Sequence, residues 1–153
     1  MVEIRRDDPG AAYIADLLEL HLRELRGEMA EYSFALDASG LSSSDISFWT
    51  AWDGEKLLGF AALKQLAPDH GEVKSMRAAP EARGQGVGRG LLDHIIMEAR
   101  NRGYQRLSLE TGTASLHAPA VRLYRSAGFT PCEAFGNYAP SPHNQFFRLD
   151  LTA

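Results

Sequence analysis

Four cations, Lys74, Arg77, Arg83 and Arg89, stand against one acid, Glu81, in the stretch from Lys74 to Arg89. The stretch carries a net +3 in a chain whose total is −4. Gly84, Gly86, Gly88 and Gly90 alternate with other residues at its end, and the apolar stripe Val87, Leu91, Leu92, Ile95, Ile96 and Ala99 starts among them. Each glycine inside a helix costs about 1 kcal/mol, a high cost for an ordinary turn. What such a segment can do is hold an anion. The first N–H groups of a helix lack partners and its dipole favours negative charge, while glycine lets a ligand approach the main chain closely. Two familiar nucleotide loops do not fit. No lysine follows these glycines, so the pattern GxxxxGK[ST] is absent. The fingerprint GxGxxG fails because its last position falls on Arg89 or on Leu91. A pyrophosphate seat at a lone helix N-terminus remains, beside the plain alternative of a glycine-rich turn with a solvated basic rim.

The elements that must position this loop follow from apolar spacing. Val2–Arg6 reads as a short strand. Asp7-Asp8-Pro9 starts a helix from Ala11 to about Arg26, with Ile14, Leu17, Leu18, Leu22 and Leu25 on one face and Gly27 as its stop. Glu28–Ser44 reads as a loop holding at most a short helix. Ile46–Trp52, the turn Asp53-Gly54, Leu57–Leu66, the turn Pro68–Gly71 and Glu72–Ala78 form an antiparallel meander. The glycine segment opens a helix closed by Arg100, Arg102 and Gly103. Leu107–Thr111 is then a strand, so the unit from Glu72 to Thr111 predicts a parallel pair with a right-handed crossover. A helix over Leu116–Ala127 stops at Gly128. Phe129 onward and Gln145–Leu151 are the last strands.

The 153 residues suit a single domain, 1–153, with a core of its own. The charge of −4 argues against general binding to nucleic acid or a membrane surface. A lone cysteine, Cys132, leaves no internal disulfide and fits a reducing compartment. The first residues lack an apolar signal-peptide core, and no apolar run nears the roughly 18 residues of a membrane span. A cytoplasmic protein is expected. His21, His70, His94, His117 and His143 show no HxxxH or HExxH spacing, so no metal is expected.

Arg83-Gly84-Gln85-Gly86-Val87-Gly88 resembles the acyl-CoA motif of the GNAT acetyltransferase superfamily, (Arg/Gln)-x-x-Gly-x-(Gly/Ala). Leu123-Tyr124-Arg125-Ser126-Ala127-Gly128-Phe129 resembles its second signature, in which Leu-Tyr precedes Gly-Phe. The segments GEVKSMRAAPEARGQGVG, LSLETGT and Phe135-Gly136-Asn137-Tyr138 are similar to its small bacterial, YsnE-like branch. The resemblance implies an α/β (α+β) GNAT fold: a mixed, mostly antiparallel sheet of six to seven strands, about four helices and a central βαβ acyl-CoA unit.

It also implies roles. Acetyl-CoA would be the cosubstrate, with the strand through Met76, Arg77 and Ala78 along its pantetheine arm. The main chain of Met76 and Ala78 would pair with pantetheine amides, and the Met76 N–H would face the thioester carbonyl. The N–H groups of Gly84, Gln85, Gly86, Val87, Gly88 and Arg89 would take the pyrophosphate, helped by Arg83 and Arg89. Tyr124 matches the family's proton donor to the departing sulfur, against the alternative of a tyrosine that only packs its helix on the sheet. Glu72 matches a glutamate that takes the amine's proton, against the alternative of an exposed strand residue; Glu110 is a second candidate. His117 stands where the family often has an asparagine on the cofactor.

The implied reaction is direct transfer of an acetyl group to a primary amine of a small molecule or amino acid. Alternatives are a protein or peptide acceptor, or an acyl-CoA-binding sensor without activity. Glu28, Tyr32, Phe34, Trp49, Lys64 and Tyr138 are candidates for the acceptor pocket, and a homodimer is possible.

Overall fold

The computed structural model describes residues 2–29, 38–82 and 84–152, with the side chains of 25–29 left aside. Strand β1 (Glu3–Arg6) leads into α1 (Ala12–Met29), and a single helical turn, α2 (Ala38–Leu41), precedes the meander β2 (Ile46–Asp53), β3 (Lys56–Ala67) and β4 (His70–Ala78). Helix α3 (Val87–Asn101) crosses to β5 (Arg106–Gly112). After it come α4 (Ala118–Ser126), β6 (Thr130–Cys132) and β7 (Asn144–Asp150). The seven strands among the described residues join one sheet in the order β1-β2-β3-β4-β5-β7-β6, and of these only β4 and β5 run parallel.

The expected fold class, the meander and the crossover are all present. The boundaries moved where local chemistry is weak. Helix α1 runs through Gly27, the expected stop, to Met29; one glycine costs about 1 kcal/mol, and the helix-forming Arg26, Glu28 and Met29 beside it carry the helix on. The turn before β4 shrinks to Pro68-Asp69, so β4 begins at His70. Ahead of α4 a 3-10 turn, Ser115–His117, takes up residues expected in the helix, which starts at Ala118 with Pro119 in its first turn.

Strand alternation divides the core between two faces. Trp49, Ala61, Leu63, Val73, Leu107, Leu109 and Phe147 pack under α3 through Leu91, Leu92, Ile95 and Ile96. Phe48, Phe60 and Ala62 point the other way, onto Ile14 and Leu18 of α1 and Leu41. Beyond α1 this second face holds polar residues. Glu72 and Lys74 on β4 and Glu110 on β5 share it with Phe146, the register partner of Glu110, under the rings of Phe135 and Tyr138. The site therefore lies between α1 and the segment joining β6 to β7.

Gly59 holds β3 against the end of β4. A Cβ there would overlap the Arg77 carbonyl and sit 3.2 Å from Ala78 Cα and Val87 Cγ1. Gly59→Ala should lose about 2–3 kcal/mol in urea unfolding, the cost of forcing extra volume against a fixed backbone. A loss below about 0.5 kcal/mol would mean that β3 and β4 separate freely.

Candidate active site

Strands β4 and β5 pair only through His70, Glu72 and the residue between them, set against Arg106, Leu107 and Ser108. Beyond that each bonds outward alone: β4 to β3 as far as Ala78, β5 to β7 as far as Gly112. The inner edges of Lys74–Ala78 and Leu109–Gly112 therefore flank a gap of unpaired main chain, an edge that can accept an extended ligand. A bulge bends β4 at the same place. Phe60 faces Arg77 and Ala62 faces Lys74, so Ser75 and Met76 share one partner position, with Ser75 at φ 51°.

At the far end of β4 lies the glycine loop. Gly84 and Gly86 adopt φ 80° and 79°, a conformation that costs other residues energy, and Gly86 caps α3 with no side-chain hydrogen bond. The first helical bond is Gly90 N–H to Gly86 C=O at 2.9 Å, which leaves the N–H groups of Val87, Gly88 and Arg89 without helical partners. The Val87 side chain is core, so only its main chain faces this loop. Gly88 packs close to α4: a Cβ there would stand 3.2 Å from Leu123 Cδ2. Arg89 donates to Asp93 at 2.9 Å and to Ser126 at 3.2 Å, so its guanidinium is held along the helix. The Gln85 amide donates to the Glu81 carbonyl. Arg83 lies outside the described residues. This donor set fits a pyrophosphate, and the gap fits an extended chain running from it.

On the polar face, Tyr138 donates to Glu72 Oε2 at 2.5 Å and accepts from Lys74 Nζ at 2.7 Å, with Lys74 3.5 Å from the same carboxylate. Glu72 is buried and Lys74 is largely covered. Burial and this carboxylate push the Tyr138 phenol well above its ordinary pKa. Glu110 is half-buried nearby. Burial raises its pKa to about 7, helped by the charge of Glu72 and opposed by Lys74 and Asn144. Tyr124 on α4 is buried against Phe129, and its pKa is pushed up to about 12, first by burial and then by Glu110. A carboxyl that titrates near neutrality thus neighbours a phenol that keeps its proton.

His117 lies at the end of β5. Its Nδ1 is 3.4 Å from Thr111 Oγ1, and its ring covers Gly112 so closely that no Cβ would fit. The Arg77 side chain runs toward α1 and pairs with Glu24 at 2.5 Å; if it serves the donor, it does so with its main chain or with the rest of its guanidinium.

Of the expected acceptor residues, Tyr138 joins Glu72, and Lys64 is the register partner of Glu72 on β3. Trp49 belongs to the opposite core, edge-on to His94 at 5.4 Å. Tyr32, Phe34 and the side chain of Glu28 lie outside the described residues. Sequence reasoning passed over Lys74 as a site residue, although Glu72 and Lys74 two apart on a strand must share a face. It also passed over His21 and Glu24, which read as ordinary helix positions. Among the described residues no group of three or more His, Cys, Asp or Glu could hold a metal ion, and no helix is long and apolar enough to cross a membrane.

A parted parallel strand pair with a helix N-terminus at its open end defines the class: an acyl-CoA-dependent transferase fold. Residues 11–129 match the Acetyltransferase (GNAT) family, and the chain belongs to it. It is 41% identical to the N-acetyltransferase YsnE of Bacillus subtilis, over 98% of this chain and 100% of that one. It is 40% identical to the N-acetyltransferase YedL of Escherichia coli, over 99% and 96%. Among solved structures, an acyl-CoA N-acyltransferase from Klebsiella pneumoniae superposes with a TM-score of 0.79 at 25% identity, covering 99% of both chains. The fold also matches a GNAT acetyltransferase from Elizabethkingia anophelis with acetyl-CoA bound, with a TM-score of 0.71 at 20% identity over 97% of each chain.

The raised pKa of Glu110 makes a stability prediction. The folded state holds this proton more tightly than the unfolded chain. The stability it contributes is complete below pH 4.5 and lost as pH rises through about 7. Glu110→Gln removes that loss. Relative to wild type, the variant should gain up to about 3 kcal/mol between pH 5 and pH 8 in urea unfolding. A pH-independent difference would mean that Glu110 is not desolvated.

Proposed function

We propose that this protein transfers the acetyl group of acetyl-CoA directly to a primary amine of a small molecule or amino acid. The observation that carries this reading is the gap between β4 and β5. It leads from the unpartnered N–H groups of α3 to Glu110, which has Glu72 beside it on one face of the sheet and is coupled to Tyr124 of α4.

When bound, acetyl-CoA supplies an activated thioester; the chain supplies position and proton management. The N–H groups of Gly84, Gly86, Val87, Gly88 and Arg89 hold the pyrophosphate, the expected Gln85 N–H being taken by the Ala82 carbonyl, and the open edge at Met76 and Ala78 pairs with the pantetheine amides. The Met76 N–H, at the bulge, stabilises the charge that develops on the thioester oxygen. His117 flanks the arm from the β5 side.

Glu110 takes the first proton from the incoming ammonium. Its pKa of about 7 matches the operating pH, where a base is both available and strong enough. Glu72, which the sequence favoured as the base, already accepts from Tyr138 and sits against Lys74. Here it anchors that network and tunes Glu110. Tyr124 gives its proton to the departing sulfur, and the second proton lost by the nitrogen restores the phenol.

Three results test the reading. Acetyl-CoA at a hundred times its Kd should stabilise the fold by about 2.7 kcal/mol, raising Tm by about 5–10 °C. No shift with acetyl-CoA, but one with ATP or NADH, would refute the donor assignment. Tyr124→Phe should lower kcat about 100-fold with little change in KM for acetyl-CoA; unchanged turnover would remove Tyr124 as the acid. The kcat/KM profile should rise through an apparent pKa near 7, and Glu110→Gln should abolish that limb. A limb that survives in the variant assigns the base elsewhere.

A further inference from the structure

Lys74 and Arg77 are three residues apart, and on a regular strand they would face opposite sides. The bulge at Ser75–Met76 adds a residue, so both face the α1 side, opposite Ala62 and Phe60 of that core. The Arg77 guanidinium is thereby drawn beneath α1 and left 9% exposed, with Nη1 on Glu24. Its Nε and Nη2 are buried and have no hydrogen-bond partner. His21, one turn before Glu24, is 5% exposed and packs edge-on to Phe60; neither of its ring nitrogens has a partner. Ser75 Oγ at the bulge is also buried and unpartnered. These five atoms are all the buried, unsatisfied side-chain polar atoms among the described residues. A buried polar atom left unpaired is destabilising, so the concentration of these atoms beside the gap calls for a ligand.

We propose that Arg77, with His21 beside it and Glu24 behind it, forms a carboxylate-binding subsite of the transfer cleft. The substrates would then be ones in which the amine acceptor or the acyl group carries a carboxylate. The inference rests on the acetyltransferase reading above and narrows it.

The geometry selects this chemistry. The Nε–Nη2 edge of a guanidinium matches the two oxygens of a carboxylate, and here Glu24 occupies the other end and leaves that edge free. Glu24 balances the guanidinium charge, so a second carboxylate needs another source of positive charge. His21 provides it. Burial and the nearby Arg77 hold its pKa down to about 4, and His117 adds to this. An arriving anion reverses that field and lets the ring take a proton, which keeps the subsite neutral.

The test compares wild type with Arg77→Lys, which keeps a cation near Glu24 and loses the two-toothed edge. In one arm, amino acids are compared with their decarboxylated amines, using acetyl-CoA. In the other, succinyl-CoA is compared with acetyl-CoA, using one decarboxylated amine. Wild type should favour the carboxylate-bearing partner in one arm by about tenfold or more in kcat/KM, about 1.4 kcal/mol. Arg77→Lys should erase most of that preference through KM. The responding arm identifies which substrate carries the carboxylate. No preference in either arm overturns the proposal. So does a preference that survives in the variant; if KM for acetyl-CoA rises as well, Arg77 is instead a donor contact.

If Arg77→Lys does not fold, NMR titration of His21 in wild type decides. Its pKa should rise with the carboxylate-bearing partner bound and stay put with its uncharged counterpart; equal values overturn the proposal. Absence of any acetyl-CoA-induced Tm shift would instead sink the parent reading, whereas efficient acetyl transfer with no carboxylate preference sinks the subsite alone.

Discussion

Strands β4 and β5 hold each other only over His70–Glu72 against Arg106–Ser108 and then part. The rest of the site follows from that short ladder. A parallel pair needs a crossover, and α3 provides it, leaving from the C-terminal end of β4. The N-terminus of that helix must therefore lie where the strands are farthest apart. One topological fact thus places an anion-binding helix end beside an open strand edge. A donor with a phosphate at one end and amides along its length is the chemistry that such a neighbourhood can take.

Parting two strands gives up ladder hydrogen bonds, and the sheet survives because each half is secured from outside. β4 keeps its bonds to β3 through Ala78, and β5 keeps seven register pairs with β7. Beneath the gap the two halves share a core. Leu91, Leu92 and Ile95 of α3 contact the same cluster as Val73 on one side and Leu107 and Leu109 on the other. The apolar face of α3 ties the halves together where the backbone does not, and burial of each large side chain contributes about 1.5–3 kcal/mol.

Much of this was legible in the chain. The period-two meander, the Asp53-Gly54 turn and the apolar stripe behind the glycines are local signals, and each became the expected element. The glycines that bear on the loop were also readable, because positive φ at Gly84 and Gly86 is a demand that a residue type can reveal. The gap was not, since where two strands stop pairing depends on distant partners. Nor was the cluster: Tyr138 reaches Glu72 across 66 residues, and Glu110 acquires its pKa from burial and from groups on β4 and β7. The bulge at Ser75 carries no glycine to announce it, yet it places Arg77 on the same face as Lys74.

The same arrangement couples the two ends of the proposed reaction. Burial accounts for most of the rise in the Tyr124 pKa, and the Glu110 carboxylate adds to it. While Glu110 is ionised, Tyr124 holds its proton more tightly. Once Glu110 has taken a proton from the ammonium, that contribution disappears and the phenol becomes a better donor. On the proposed mechanism, loading the base would ready the acid. Glu72 and Lys74 set the balance from the far side, one raising the Glu110 pKa and the other lowering it. Tyr138 bonds to both of these groups and holds them in place.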